Sequence, residues 1–155
     1  MLELSVKTKL SRGFTLLELM VTLAIAAILA SIAAPSFNGL IESQRVRSAS
    51  NDLMSSINLA RSEAVTRNAI VTVAQASGGW TDGWRISVGA NDLRIEDSLA
   101  GVSVTAGISS FNYNSSGRAT TAVNFTVAPD SGNADRTRCV AVSLNGKPSS
   151  KKGAC

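Results

Sequence analysis

From Phe14 to Ala34 the sequence runs for 21 residues with a single ionisable side chain, Glu18. As a helix rising about 1.5 Å per residue, this run is roughly as long as the 30 Å hydrocarbon of a bilayer is thick. A membrane-inserted helix is therefore predicted near the amino terminus, and the remainder of the chain must fold as a body of its own. Glu18 is costly there, on the order of 3 kcal/mol on insertion scales. An anchor alone is better served by Leu or Val, so the glutamate implies a positive group that comes to meet it.

The 13 residues before this run carry Lys7, Lys9 and Arg12 against Glu3. Positive charge ahead of an apolar segment holds that end in the cytoplasm and sends the remainder across. A secretory signal is cut after its apolar run, where Ala33-Ala34-Pro35 mimics a site only loosely; here a small residue, Gly13, stands before it. The order Gly13-Phe14-Thr15-Leu16-Leu17-Glu18 resembles the class III signal of type IV pilins and pseudopilins. That resemblance implies a prepilin peptidase cut between Gly13 and Phe14 and N-methylation of Phe14. It makes Glu18 the assembly glutamate, meeting the amino terminus of a neighbouring subunit or its own, and Pro35 a helix-kinking proline.

Beyond Pro35 the helical period continues. Val46, Ala49, Leu53, Ile57, Ala60 and Ala64 recur at three- and four-residue steps with Glu42, Arg45, Arg47, Asn51, Asp52 and Asn58 between them, which is one apolar stripe on a wet helix. Pro35 removes a backbone donor and Gly39 comes soon after, so a bend or loosening is expected rather than a stop. The helix is predicted from about Phe14 to about Arg67. Its last turns read Leu59-Ala60-Arg61-Ser62-Glu63-Ala64-Val65-Thr66-Arg67-Asn68, and an Ala-Arg-Ser-Glu-Ala run at this place resembles the pseudopilin family that includes GspH, FimT and FimU. Two small alanines let a helix sit close on a sheet. Arg61 and Glu63, two residues apart, do not face each other and are expected to reach separate partners.

From Ile70 the period changes to two. A strand is predicted over 70–74, a turn over Ser77–Trp84 and a second strand from Arg85 to Val88, with further strands at 93–96, 102–105, 110–113, 123–127 and 138–144. Residues 129–135 read as a loop. Trp80 and Trp84 are expected to fill the core of the β domain, in a chain with only 5% aromatics, over an exposed aromatic platform; the Trp-Thr-Asp-Gly-Trp spacing again resembles the same family. A long helix followed by antiparallel strands makes an α+β fold, helix packed on sheet. The chain is divided into a leader (1–13), a transmembrane half-helix (14–35), an amphipathic half-helix (36–67) and a β-rich domain (68–155).

Both cysteines, Cys139 and Cys155, fall in the last 17 residues, on the side that the anchor places outside the cytoplasm. An even count there reads as one disulfide, worth about 3 kcal/mol on the chain-entropy model; the alternative is two buried thiols. The same segment holds Arg136, Arg138, Lys147, Lys151 and Lys152 without an acidic residue, a cationic tip suited to phosphates or to an acidic neighbour. Some FimT-like members of the resembled family bind DNA through a basic Gly-Arg-x-Arg motif; Gly146-Lys147-Pro148-Ser149-Ser150-Lys151-Lys152 differs from it in residue type and spacing and has no aromatic to stack a base. A solvated tip or a contact with an acidic subunit is the favoured reading.

The chain has no histidine, which removes Ser-His-Asp and Cys-His catalysis. It offers no recognisable metal cluster and no phosphate-cradling glycine loop, so neither an enzyme nor a cofactor is expected. Net charge is +4, about half of it in the leader, and global charge does not argue for nucleic acid. The resemblance implies a minor pilin that assembles through its helix into a type IV pilus and primes or caps it. Its partners would be other pilins or pseudopilins, the prepilin peptidase and the inner membrane. A type II secretion pseudopilin and a DNA-binding minor pilin are the alternatives.

Overall fold

The computed structural model describes the backbone of residues 13–155 and the side chains of 13–31 and 37–155. The leader up to Arg12 and the side chain of Pro35 lie outside the described residues. One helix, α1 (Leu16–Arg67), is followed by eight strands: β1 (Val71–Ala76), β2 (Gly79–Val88), β3 (Asn91–Asp97), β4 (Val102–Ala106), β5 (Ser110–Tyr113), β6 (Val123–Pro129), β7 (Arg138–Val142) and β8 (Pro148–Lys152). The chain separates into two compact units, one ending at Asn38 and one beginning at Gly39.

In the first unit the helix starts on a built cap: the Thr15 hydroxyl accepts from the Glu18 N–H at 3.2 Å. Thr15-Leu16-Leu17-Glu18 is thus an S/T-x-x-E capping sequence, and the Glu18 carboxylate sits in the first turn, where the helix dipole favours a negative charge. Leu16, Leu17, Leu19, Met20, Val21 and Leu23 are all more than half exposed. Since these positions circle the helix, it is apolar on every side, as a helix is when lipid or other helices surround it. Its hydroxyls are turned inward: Thr22 donates to the Leu19 carbonyl at 2.9 Å and Ser31 to that of Ile28 at 2.7 Å, so neither donor is left unmet in an apolar environment. Among the described residues no helix is long and apolar enough to cross a membrane. The 21-residue run of the sequence ends within 32–36, outside the described side chains.

The second unit is the α+β domain. Its strands form two antiparallel four-stranded sheets, ordered β3-β2-β1-β5 and β4-β6-β7-β8. The stripe of α1 is fully taken up: Val46, Leu53, Ile57, Ala60 and Ala64 are 0% exposed and join one core with Val71, Val73, Ile86, Val127, Val140 and the aromatics. Trp80 of β2 meets Phe125 of β6 edge-to-face at 4.8 Å, and Phe111 of β5 lies 6.2 Å from the same ring. Both sheets therefore share a single apolar interior. A second link is polar. The Thr81 hydroxyl accepts from the Val104 N–H and donates to the Val104 carbonyl, both at 3.1 Å, so a side chain of β2 occupies the outer edge of β4.

Three expectations are corrected. Ser77–Trp84 is not one turn: only Ser77 and Gly78 connect β1 to β2, and Trp80-Thr81-Asp82-Gly83-Trp84 lies inside β2. Thr-Asp-Gly has turn chemistry, but Gly83 takes φ +113° within the strand and lets the Glu96 backbone of β3 pass where a Cβ would stand. Residues 129–135 are not all loop, since Pro129 ends β6 and a 3-10 turn covers Ala134–Arg136, with the Asn133 side chain accepting from the Asp135 N–H. Finally, the strand predicted over 138–144 stops at Val142, and Pro148–Lys152, read from sequence only as part of a solvated cationic tip, is the edge strand β8.

Candidate functional site

The first site is the start of α1. Gly13, Phe14, Thr15 and Glu18 line one open depression, so the residues that the sequence resemblance singles out for cleavage and assembly are contiguous in space, with the cap folding Thr15 against the first turn. Phe14 is 78% exposed.

The family-like run at the end of α1 divides its residues cleanly. Ala60 and Ala64 are buried in the core, and Ser62 donates back to the Leu59 carbonyl at 2.9 Å. Arg61 donates from Nε to the Gly117 carbonyl at 3.1 Å, while Glu63 pairs with Arg67 at 2.5 Å, one turn on. These are structural roles. Beneath Arg61, Tyr113 is fully buried and donates to the Gly146 carbonyl at 2.9 Å. Burial pushes its phenol up from 10.0 to about 12, against the Arg61 charge, which lowers it.

The third region is the carboxy-terminal segment. Cys139 and Cys155 are joined, with Cα atoms 5.0 Å apart, and no free cysteine is present among the described residues. The five cations do not make one tip. Arg138 stands opposite Lys152 in the β7–β8 ladder and Lys151 opposite Cys139, so Lys151 points to the other face of the sheet. Lys147 is exposed in the turn at the far end of β8. Arg136 is engaged: its Nη1 donates to Glu42 of α1 at 2.5 Å, and its guanidinium lies over Gly39, with Cζ 2.9 Å from where a Cβ would sit. Gly39, read from sequence as a loosening of the helix, is where the 3-10 turn is pinned to α1. Sequence reasoning missed Ser43 and Arg47, which line a cleft of about 420 Å³ together with Asp135, Arg136, Arg138 and Lys152. Only the unpaired look of Arg47 on the wet face of the stripe could have pointed to it.

Comparison with known proteins places this architecture. The family described as type II transport protein GspH matches residues 49–146, and the prokaryotic N-terminal methylation motif matches residues 8–34. The chain belongs to the GspH family. No curated protein sequence matches it. Among solved structures, the type IV minor pilin FimU of Pseudomonas aeruginosa in two crystal forms is similar to this GspH-family chain. One form has 23% identity and a TM-score of 0.61, covering 68% of this chain and 91% of that one; the other has 22% and 0.64, covering 72% and 92%. The minor pseudopilin EpsH of the Vibrio cholerae type 2 secretion system is similar at 14% identity and a TM-score of 0.57, covering 70% and 97%. At these identities the likeness establishes the pilin-like α+β fold.

Proposed function

We propose that this GspH-family chain is a minor pilin, anchored by α1 in the inner membrane as a single span with its β domain in the periplasm, and drawn by that helix into a type IV pilus that it primes or caps. The observation that carries the reading is the contrast within α1: apolar on every side before the β domain begins and covered along one stripe after it. A helix left bare on every side is completed by lipid or by like helices, and exchanging the first for the second is assembly. In this mechanism the peptidase cuts after Gly13, Phe14 carries the new and methylated amino terminus, and Glu18 meets the amino terminus of an adjoining subunit. In low dielectric that pairing is strong, and misregistered packing would leave Glu18 unpaired. The chemistry is binding throughout, and no residue is assigned a catalytic role. The disulfide fits an oxidising compartment.

A second reading, a type II secretion pseudopilin, is favoured by the family description and by the likeness to EpsH. Pilin sheared from a strain lacking this gene, compared with the parent and a complemented strain, separates the two. Loss of surface pili supports the pilus; normal pili with reduced exoprotein release supports secretion. Replacing Glu18 by Ala should leave the precursor cleaved but poorly incorporated, and normal incorporation would reject the pairing. Binding of DNA along the carboxy-terminal segment is disfavoured by the separation of Lys147 and Lys151 from the other cations.

A further inference from the structure

The β7–β8 ladder contains a local conflict. Arg138 and Lys152 stand directly opposite each other, and like charges in that position destabilise a sheet. Arg47 of α1 brings a third cation to the same cleft, and Arg136 a fourth. Among the described residues the ion pairs are Arg67–Glu63, Arg94–Glu96 and Arg136–Glu42, so Arg47, Arg138 and Lys152 are within pairing distance of no described carboxylate. Asp135 is the only acid among the described residues that line the cleft. Among the described residues the cleft's one committed carboxylate is Glu42, on Arg136, and Arg47, Arg138 and Lys152 are left without one.

The cluster is also held in place. Arg138 is partly buried, and its Nε donates to Ser150 at 3.2 Å, which orients the guanidinium before anything binds. The disulfide joins Cys139, next to Arg138, to Cys155, three residues after Lys152, and Gly153 N–H bonds to the Thr137 carbonyl at 2.8 Å. The backbone at both ends of the cationic pair is thereby fixed. Arg136, tied to Glu42, closes one wall. A preoriented guanidinium loses little freedom on binding, and a concave wall with a large excess of one sign concentrates the field.

We propose that this cleft, between the Ser43–Arg47 turn of α1 and the β7–β8 hairpin, is a docking site for an acidic segment of a protein partner, seating a carboxylate between Arg47, Arg138 and Lys152. A protein carboxylate fits better than a nucleic-acid backbone. A polyanion needs a continuous track, but the next cation along β8, Lys147, lies about 17 Å away at the usual strand rise, and Lys151 is on the opposite face. Among the described residues no aromatic side chain lines the cleft to stack a base. That the partner is a neighbouring filament subunit rests on the function proposed above; the affinity of the cleft for carboxylates does not.

The test uses the full chain in detergent micelles and a fluorescent peptide, acetyl-Gly-Ser-Glu-Glu-Gly-Ser-amide, read by anisotropy, with the Gln-Gln peptide and a mixed-sequence DNA duplex as competitors. The Glu peptide is expected to bind, and Arg138→Gln and Lys152→Gln are each expected to weaken it about fivefold. Lys147→Gln, the same charge change outside the cleft, is expected to leave it at the parent value. Near-UV circular dichroism of each variant reports that the β domain is intact, and Arg138→Lys should recover part of the loss. The proposal is overturned if Lys147→Gln weakens binding as much as the cleft variants, if the Gln-Gln peptide binds equally well, or if the duplex displaces the Glu peptide more effectively than unlabelled Glu peptide does. Because the assay contains no filament, its failure would not bear on pilus assembly, and a loss of pili in the deletion strain would not rescue the cleft.

Discussion

The two halves of α1 obey one backbone rule and opposite side-chain rules. Between Leu16 and Leu29 the large apolar side chains are exposed, whereas between Val46 and Ala64 the apolar stripe is wholly buried under two sheets. The first half carries its apolar surface outward, for a partner outside the chain; the second has its own sheets as the partner. One helix therefore serves two folding problems. The second half is stabilised by the strands downstream of it in the same chain, and the first only by its surroundings.

The sharpest way to break that comparison is to delete the same side chain in each half. Leu53→Ala should cost the β domain about 3 kcal/mol, since Leu53 is 0% exposed, while Leu23→Ala should leave the denaturant midpoint of that domain unchanged. Equal losses would mean that the halves are not separate units. Next in size is the disulfide. Its reduction should cost about 3 kcal/mol at most on the chain-entropy model, again in the β domain alone, with helicity of the first half in micelles preserved.

A pH titration sharpens the same boundary. The native Tyr113 phenol titrates at about 12 and an unfolded one near 10.0, so between those values the unfolded chain binds fewer protons than the native one. Stability from this group is complete below pH 10 and falls towards pH 12, by about 1.4 kcal/mol per unit. The loss should register in near-UV signals of the β domain, and Tyr113→Phe should flatten it. A stability curve unchanged by that substitution would remove Tyr113 as the cause. The smallest expected effect sits at the boundary itself. In an ordinary helix interior Gly→Ala gains about 1 kcal/mol. At Gly39 the added methyl displaces the Arg136 guanidinium from Glu42, so Gly39→Ala should give no gain in the thermal midpoint of the β domain.

How much of this could be read from the sequence differs by element for physical reasons. The stripe Val46–Ala64 was legible because helical periodicity and burial coincide there, and Ser110–Tyr113 because apolar alternation sits between turn residues. Strand β8 was not: Pro-Ser-Ser-Lys-Lys carries no alternation, being an edge strand whose inner face needs to cover little beyond Pro148. The interior of β2 misled because Gly83 makes a turn-like tripeptide extended. The cationic cleft was invisible since its walls are remote in sequence; the Glu42–Arg136 pair alone spans 94 positions. Conversely, Thr-x-x-Glu at 15–18 was present as a capping signal, hidden behind its resemblance to a processing motif.

The hydroxyl of Thr81 has a wider effect than its two hydrogen bonds. Strand β4 borders its sheet, and a bare border is where foreign strands add and fibrils start. By taking both main-chain groups of Val104, Thr81 removes the middle of this border as a template. At that point one threonine keeps the helix-driven assembly proposed above apart from the amyloid route.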